Sequence, residues 1–408
     1  MAGLAACSTG NGESPYGAGS SAGGGTSINS PGAAGGTPND AASSGTSPGQ
    51  GGTTGTSGSM RDIPSLTLVK EMGLGWNLGN TLDSTADTAS VVPDETYWGN
   101  PKTTQAMIDT VKAAGFSTVR VPVTWKLHMG AAPDYTVNAA WMARVEEVVN
   151  YALSTGMYAI VNSHHDDWVS LMPTANQAAV SDQLSKLWTQ IATRFRSTGD
   201  HLVFEVLNEP RTKDGTEWTG GTAAARQILN AYNLAAVNAI RATGGNNSTR
   251  HIMVPTHAAN ASTTCISELV IPNNDARVIV SLHTYYPYTF SAGAGATAWG
   301  TNAENADMLT ELDRIASLLT KQGRATVIGE WGSVNQNNLS SRETHARAYS
   351  EAVLARGMAA IWWDNGVSTA GSESYGLLNR KVNPPTWYFP SIVQSLVAGA
   401  AAGAAVAP

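Results

Sequence analysis

Two cysteines in 408 residues, Cys7 and Cys265, are too few for a disulfide framework. Charge is sparse as well: 13% of residues are charged, and the formal net charge is -7. No basic run occurs, so the clustered Lys and Arg that bind phosphate backbones are missing, which excludes nucleic acid as a partner. No apolar stretch approaches the ~20 residues that span a bilayer. A Gly-rich phosphate turn is lacking too. Gly73-Leu74-Gly75 has no third glycine and precedes an apolar run rather than a helix, so no nucleotide cofactor is implied.

Aliphatic residues are almost absent from residues 8 to 59, which are Gly, Ser, Thr, Ala, Pro and Asn. Such a composition cannot bury enough apolar surface to offset chain entropy, and residues 1–59 read as a disordered tether. The Ala/Gly run over 398–408 reads as a low-complexity tail that frays. The remainder, 60–397, suits one large α/β domain. Leu4-Ala5-Ala6-Cys7 resembles the lipobox of bacterial lipoproteins, although Met1-Ala2-Gly3 carries neither a charged nor an apolar leader region. The match and the tether behind it point to export, as a secreted or envelope-attached protein.

Beyond the tether, short apolar runs alternate with amphipathic stretches. The runs are 72–78, 118–123, 158–162, 202–207, 252–255, 278–282, 326–328 and 359–362. Continuous β-branched runs of this length read as strands buried on both faces. Eight of them with helices between is the count of a single (β/α)8 TIM barrel. Active sites in that fold lie at the C-terminal ends of the strands. Those ends carry Asn77 and Asn80, Arg120, His164 and His165, Asn208 and Glu209, His257, His283 and Tyr285, Glu330, and Trp363.

Two of these ends carry a Glu, in Leu207-Asn208-Glu209-Pro210 and in Ile328-Gly329-Glu330. A carboxylate at a strand mouth is poorly placed for packing. Two on one sheet are what acetal hydrolysis needs: one acid to protonate the leaving oxygen, one carboxylate to attack or to activate water. The bland alternative for each is an ion-paired surface Glu. His164-His165-Asp166 invites a metal reading, but neighbouring strand residues point to opposite faces and no Cys cluster lies nearby, so no metal is expected.

The chain resembles glycoside hydrolase family 5, and within it the bacterial endo-β-1,4-glucanase branch. The likeness is carried by Gly75-Trp76-Asn77-Leu78-Gly79-Asn80-Thr81-Leu82, Tyr97-Trp98-Gly99-Asn100-Pro101, Val119-Arg120-Val121-Pro122-Val123-Thr124-Trp125 and His164-His165-Asp166. It continues through Leu207-Asn208-Glu209-Pro210, His283-Thr284-Tyr285, Ile328-Gly329-Glu330 and Trp362-Trp363-Asp364-Asn365-Gly366. The resemblance implies Glu209 as acid/base and Glu330 as nucleophile, with the carboxyls about 5–5.5 Å apart as in retaining enzymes. It further implies that Arg120 orients Glu330, Asn208 bonds the sugar 2-hydroxyl, Tyr285 donates to Glu330, and His283 bridges toward Glu209. His164 is expected to bond Arg120, Glu330 or the sugar.

Sugar rings present an apolar C–H face that stacks on indole, and Trp363 resembles the platform under the reacting ring. His165, Asn80, Asn77, Trp98, Trp168 and Trp331 complete the expected substrate-binding set. Trp125, Trp218 and Trp299 are further loop or strand-end candidates, each with core packing as the alternative. Trp76, Trp141 and Trp188 are assigned to packing. The resemblance thus implies a monomeric, cofactor-free retaining endo-β-1,4-glucanase acting on β-glucan. Its rivals are a xyloglucanase, mixed-linkage glucanase or mannanase, and, from another class, a non-catalytic envelope-anchored polysaccharide-binding barrel.

Overall fold

Eight short parallel strands close on one another in chain order: β1 (Leu74–Asn77), β2 (Thr118–Val121), β3 (Tyr158–Asn162), β4 (Leu202–Glu205), β5 (Ile252–Asn260), β6 (Val278–His283), β7 (Thr326–Trp331) and β8 (Ala359–Trp362). β8 pairs with β1 to complete the barrel. The computed structural model describes residues 58–86, 90–172 and 175–408. The expectations for Cys7 and nearly all of the tether lie outside these residues. Among the described residues no helix is long and apolar enough to cross a membrane.

Strand side chains alternate between the barrel interior and the helical shell. The lower interior is apolar: Tyr158, Ile160, Val203, Met253, Ile279, Val327 and Ile361 pack against Leu68, Val69 and Met72 of the helix Ser65–Met72, which plugs the floor. Two residues further along the same strands the inward positions turn polar. Asn162 follows Ile160, Glu205 follows Val203, Ser281 follows Ile279, and Arg120 follows Thr118. A period of two stacks this polar layer directly above the apolar one. Register then sets neighbours, with Asn77 beside Arg120 and Asn162 beside Glu205.

The outward positions and the helices form the larger core, in which Trp76, Trp141 and Trp188 are buried as expected. Register shifts interrupt the upper ends of the β5–β6, β6–β7 and β7–β8 pairs. Such irregularities re-aim side chains at a barrel rim. Here one of them brings His283 level with Glu330.

The Ala/Gly run expected to fray is instead helical, as part of Pro390–Val406. Its physical reason is close packing. A Cβ on Gly399 would lie 2.2 Å from the Arg347 carbonyl, and one on Gly403 2.2 Å from the Glu351 carbonyl. Small residues four apart let this helix lie against the helix Leu339–Leu354, and low complexity here is a packing stripe rather than disorder.

Candidate active site

Arg120 is the hub of the mouth. Fully buried on β2, it donates from Nε to Glu205 Oε2 at 2.7 Å, from Nη1 to Glu330 Oε1 at 2.7 Å and Asn77 Oδ1 at 2.9 Å, and from Nη2 to Asn208 Oδ1 at 2.7 Å. A planar guanidinium with donors on both edges can hold four acceptors in one plane, which a lysine cannot. Asn208 accepts through its oxygen, so its amide N–H groups are left to meet a ligand. Tyr285 donates to the other Glu330 oxygen at 3.1 Å.

Glu209 takes different partners. Its Oε1 lies 2.8 Å from His283 Nδ1, and its Oε2 lies 3.9 Å from Arg211 Nη1. His283 Nδ1 is also 3.7 Å from Glu330 Oε2. An oxygen of Glu209, an oxygen of Glu330 and a His283 nitrogen all lie within 4.8 Å of one another. The two carboxyls therefore face a common point from strands on opposite sides of the barrel.

With nothing between them, burial pushes the Glu330 carboxyl up, with Glu209 adding to it, against the pull of His283 and Arg120. Burial also raises Glu209, but the His283 bond and the charges of His283 and Arg211 outweigh it and hold Glu209 below the usual range. These directions oppose an acid at Glu209 and an anion at Glu330. Burial lowers the His283 ring, yet the Glu330 and Glu209 carboxylates raise it overall. The 2.8 Å His283–Glu209 contact is a route by which a proton can pass from Nδ1 to Oε1, while Glu330 lies beside a permanent cation and a phenol. Burial and Glu330 keep the Tyr285 hydroxyl protonated and able to donate, its pKa well above the ordinary value.

The other expected residues divide into those at the mouth and those behind it. Trp363 is 92% buried, lies parallel to His164 at 5.9 Å, and rests on Gly79, where a Cβ would come within 2.8 Å of the indole. Asp364 anchors it from below, accepting from Trp76 Nε1 at 2.8 Å and from Arg380 Nη2 at 3.0 Å. The half-buried Trp98 stands 5.5 Å from His165, extending the aromatic ridge. Asn80 is half-buried in a left-handed turn beside it, its carbonyl accepting from Asn100 at 2.8 Å.

Several expectations need correcting. Asn77 is fully buried and spends its side chain on Arg120 and on the Gly329 carbonyl at 2.9 Å, so it holds the arginine rather than a ligand. Trp331 is sealed in the core against Tyr349 because its position on β7 faces the helices. Trp125 is fully buried with Nε1 donating to the Asn162 carbonyl at 2.9 Å, and Trp299 is buried against His345 and Phe290, whereas Trp168 is only half-buried, with one side against the outer core. His164 bonds neither Arg120 nor Glu330: its Nδ1 meets Asn162 Nδ2 at 3.0 Å, and its Nε2 stops 4.0 Å from Glu330 Oε1. Burial, reinforced by His165 and Arg120, pushes its pKa well below the ordinary value and keeps it neutral. His257 is buried over Gly221 with neither ring nitrogen bonded.

The divergence expected of His164 and His165 does not hold. β3 ends at Asn162, so both follow the strand and their rings meet edge to face at 4.5 Å. Together with Asp83 they form one of two described groups able to gather around an ion, the other being Glu209, His283 and Glu330. In the first group two of the three residues carry other partners. Asp83 accepts backbone N–H groups of Asn80 and Thr81 at 3.0 and 2.6 Å, and His164 Nδ1 is taken by Asn162.

Sequence reading missed Glu205, Asn162 and Ser281. Glu205 accepts from Arg120, from Ser281 Oγ at 2.6 Å and from Asn162 Nδ2 at 2.9 Å, all inside the barrel. The available signal was a lone acid within the apolar run 202–207, since a buried charge requires a partner.

Comparison with known proteins agrees with this geometry. The family model "Cellulase (glycosyl hydrolase family 5)" matches residues 82–369. The cellulase/esterase CelE of Acetivibrio thermocellus is 52% identical over 354 residues, covering 86% of this chain but 42% of that protein, so the chain spans less than half the length of this relative. A solved broad-specificity endoglucanase from Clostridium acetobutylicum is 50% identical, with a TM-score of 0.78 over 82% of this chain and all of the other. One from Ruminococcus champanellensis, with bound cellotriose, is 42% identical with a TM-score of 0.79 over 83% and 99% of the two chains. A family-wide sequence match and the same barrel lead to one conclusion: the chain is a glycoside hydrolase and belongs to glycosyl hydrolase family 5, the cellulase family.

Proposed function

We propose that the protein is a retaining endo-β-1,4-glucanase that cleaves internal bonds of β-glucan by double displacement. The observation that carries this reading is the closeness of Glu209 and Glu330, with oxygens within 4.8 Å and unlike partners. That spacing suits direct attack on the sugar, whereas inverting enzymes keep their carboxyls ~6.5–9.5 Å apart to admit a water. Glu209 gives its proton to the glycosidic oxygen while a Glu330 oxygen bonds the anomeric carbon. The ionised Glu209 then takes a proton from water, which displaces Glu330. Asn208 offers its amide to the 2-hydroxyl of the reacting sugar, and Trp363, His165 and Trp98 line the side that binds it.

Relatives named as endoglucanases, one of them holding cellotriose, support β-1,4-glucan as the substrate. A polymer cannot enter a cell, so the enzyme works outside the cytoplasm, as a monomer whose single barrel holds both carboxylates. The test follows the anomeric proton signals while the protein hydrolyses cellopentaose. The β-anomer appears first if the reading is right; an α-anomer first, or no hydrolysis, overturns it.

A further inference from the structure

We propose that Asn100 and Arg380 are positioning residues that join the loop after β1 to the loop after β8 and so fix the tilt of the Trp363 indole. The inference rests on the endoglucanase reading above for the use of that indole as the bed of the reacting sugar. Strand pairing between β1 and β8 ends at Trp76 and Trp362, one residue short of Trp363. Beyond it the two chains run on as loops, and a few links hold them side by side. The Gly79 N–H donates to the Asp364 carbonyl at 3.0 Å. The buried Arg380 guanidinium spans the same two residues, with Nη1 donating to the Gly79 carbonyl at 2.8 Å and Nη2 to the Asp364 carbonyl at 2.6 Å. One residue further along, the buried Asn100 spans the next two. Its Nδ2 donates to the Asn80 carbonyl at 2.8 Å and to the Asn365 carbonyl at 3.0 Å. Side chains here replace the backbone pairing of the barrel.

The residue types follow from the bonds they make. An amide nitrogen carries two hydrogens, one for each carbonyl, whereas a carboxylate of the same shape carries none. The rigid fork of an arginine sets a donor on each of two carbonyls at once. Its plane is held by the Trp76 ring, 4.9 Å away. Asn100 has no slack either: a Cβ on Gly366 would come within 2.1 Å of its Oδ1.

Trp363 lies at this seam. Its indole rests on Gly79, where a Cβ would stand 2.8 Å from the ring and 2.9 Å from the Asp364 carbonyl that Arg380 holds. The separation of Gly79 from Asp364 therefore sets the room in which the ring can turn. Asn100 and Arg380 act at one remove, through backbone carbonyls. Asn100 also follows Trp98 in the run Tyr97-Trp98-Gly99-Asn100-Pro101, so one seam ties both tryptophans of the aromatic ridge to the barrel.

The test is a double-mutant cycle on 2,4-dinitrophenyl β-cellobioside, an activated substrate that keeps slow variants measurable. Asn100→Asp keeps the shape and removes both donors. It is expected to lower kcat/KM about tenfold in the wild-type background but less than about twofold in Trp363→Ala. Arg380→Gln is expected to show the same dependence on the indole, and Asn100→Ala, which adds no charge, serves where Asn100→Asp does not fold. Equal losses in both backgrounds overturn the proposal, because a seam that only stabilised the barrel would not sense the ring. The crystal structure of the folded Asn100 variant is expected to show the Trp363 ring turned with β1 and β8 still paired; a ring in its native place also overturns the proposal. A wild-type protein inactive on this substrate removes the endoglucanase reading instead, and the ring position then decides the seam alone.

Discussion

Glu205 and Glu330 sit on opposite edges of one buried guanidinium, each accepting from Arg120 at 2.7 Å. Glu205 is sealed within the polar layer of the barrel, and Glu330 looks into the mouth. The buried acid fixes the arginine and the arginine fixes Glu330, so the aim of Glu330 is set from below.

Deleting Glu205 therefore costs both stability and rate. Glu205→Ala leaves Arg120 buried with one anion fewer, and breaking such a pair costs roughly 3–5 kcal/mol. Denaturant unfolding measures that loss. Glu205→Gln keeps the shape and folds, but frees Arg120 to shift. Its kcat is expected to fall about 10–100-fold, the equivalent of 1.4–2.7 kcal/mol, with KM little changed. A Glu205→Gln enzyme with wild-type kcat would detach Glu205 from the reaction.

Azide distinguishes the two carboxylates. Glu330→Ala opens the face from which the nucleophile attacks, so azide is expected to restore turnover of an activated aryl cellobioside and yield the α-glycosyl azide. Glu209→Ala still forms the glycosyl-enzyme, and azide then yields the β-product. Proton spectra of the two products decide the matter; the same anomer from both variants contradicts the roles.

Gly79→Ala probes the Trp363 platform without touching its indole. The added methyl would stand 2.8 Å from the ring and 2.9 Å from the Asp364 carbonyl, so the ring must tilt. KM for cello-oligosaccharides is expected to rise about tenfold in a protein with an unchanged far-ultraviolet spectrum, from the loss of one stacking contact of ~1.4 kcal/mol. An unaltered KM would mean that the ring does not carry the sugar.

His345 gives a pH-dependent stability. Burial pushes its pKa down to about 4, against the opposing bond to the Tyr286 carbonyl. The unfolded chain, with an ordinary imidazole, binds the proton more tightly. The stabilisation is therefore whole above pH ~6.5 and declines as pH falls toward about 4, by about 1.4 kcal/mol per unit. The difference in unfolding free energy between wild type and His345→Gln is expected to shrink with that slope between pH 6.5 and 5. A constant difference would show that the ring is not held neutral. His283 has the opposite sign: its pKa is raised, so what it contributes is present at low pH and lost as pH rises through the folded value.

The strand ends were readable because barrel strands are continuous apolar runs. β3 and β8 match their predicted bounds, and the others differ by a few residues where the rim twists. The convergence of Glu209 and Glu330 was readable for the same reason, each lying just beyond such a run. Trp331 and Asn77 were misplaced because a residue next to a site in sequence can face the shell, or be spent on a neighbour. The helix through 398–406 was missed because an Ala/Gly run looks identical whether it is solvated or pressed against another helix.

By itself the sequence determined the barrel, the family and the two glutamates, all of which depend on periodicity and on residue types at strand ends. Tertiary structure decided which partner each side chain received. Glu205 under Arg120, the contact of His283 with Glu209, and Arg211 between Glu209 and Trp218 join residues on different strands or on opposite arms of a loop. Side-chain direction and inter-strand register make those pairings, and a single chain read in one dimension carries neither.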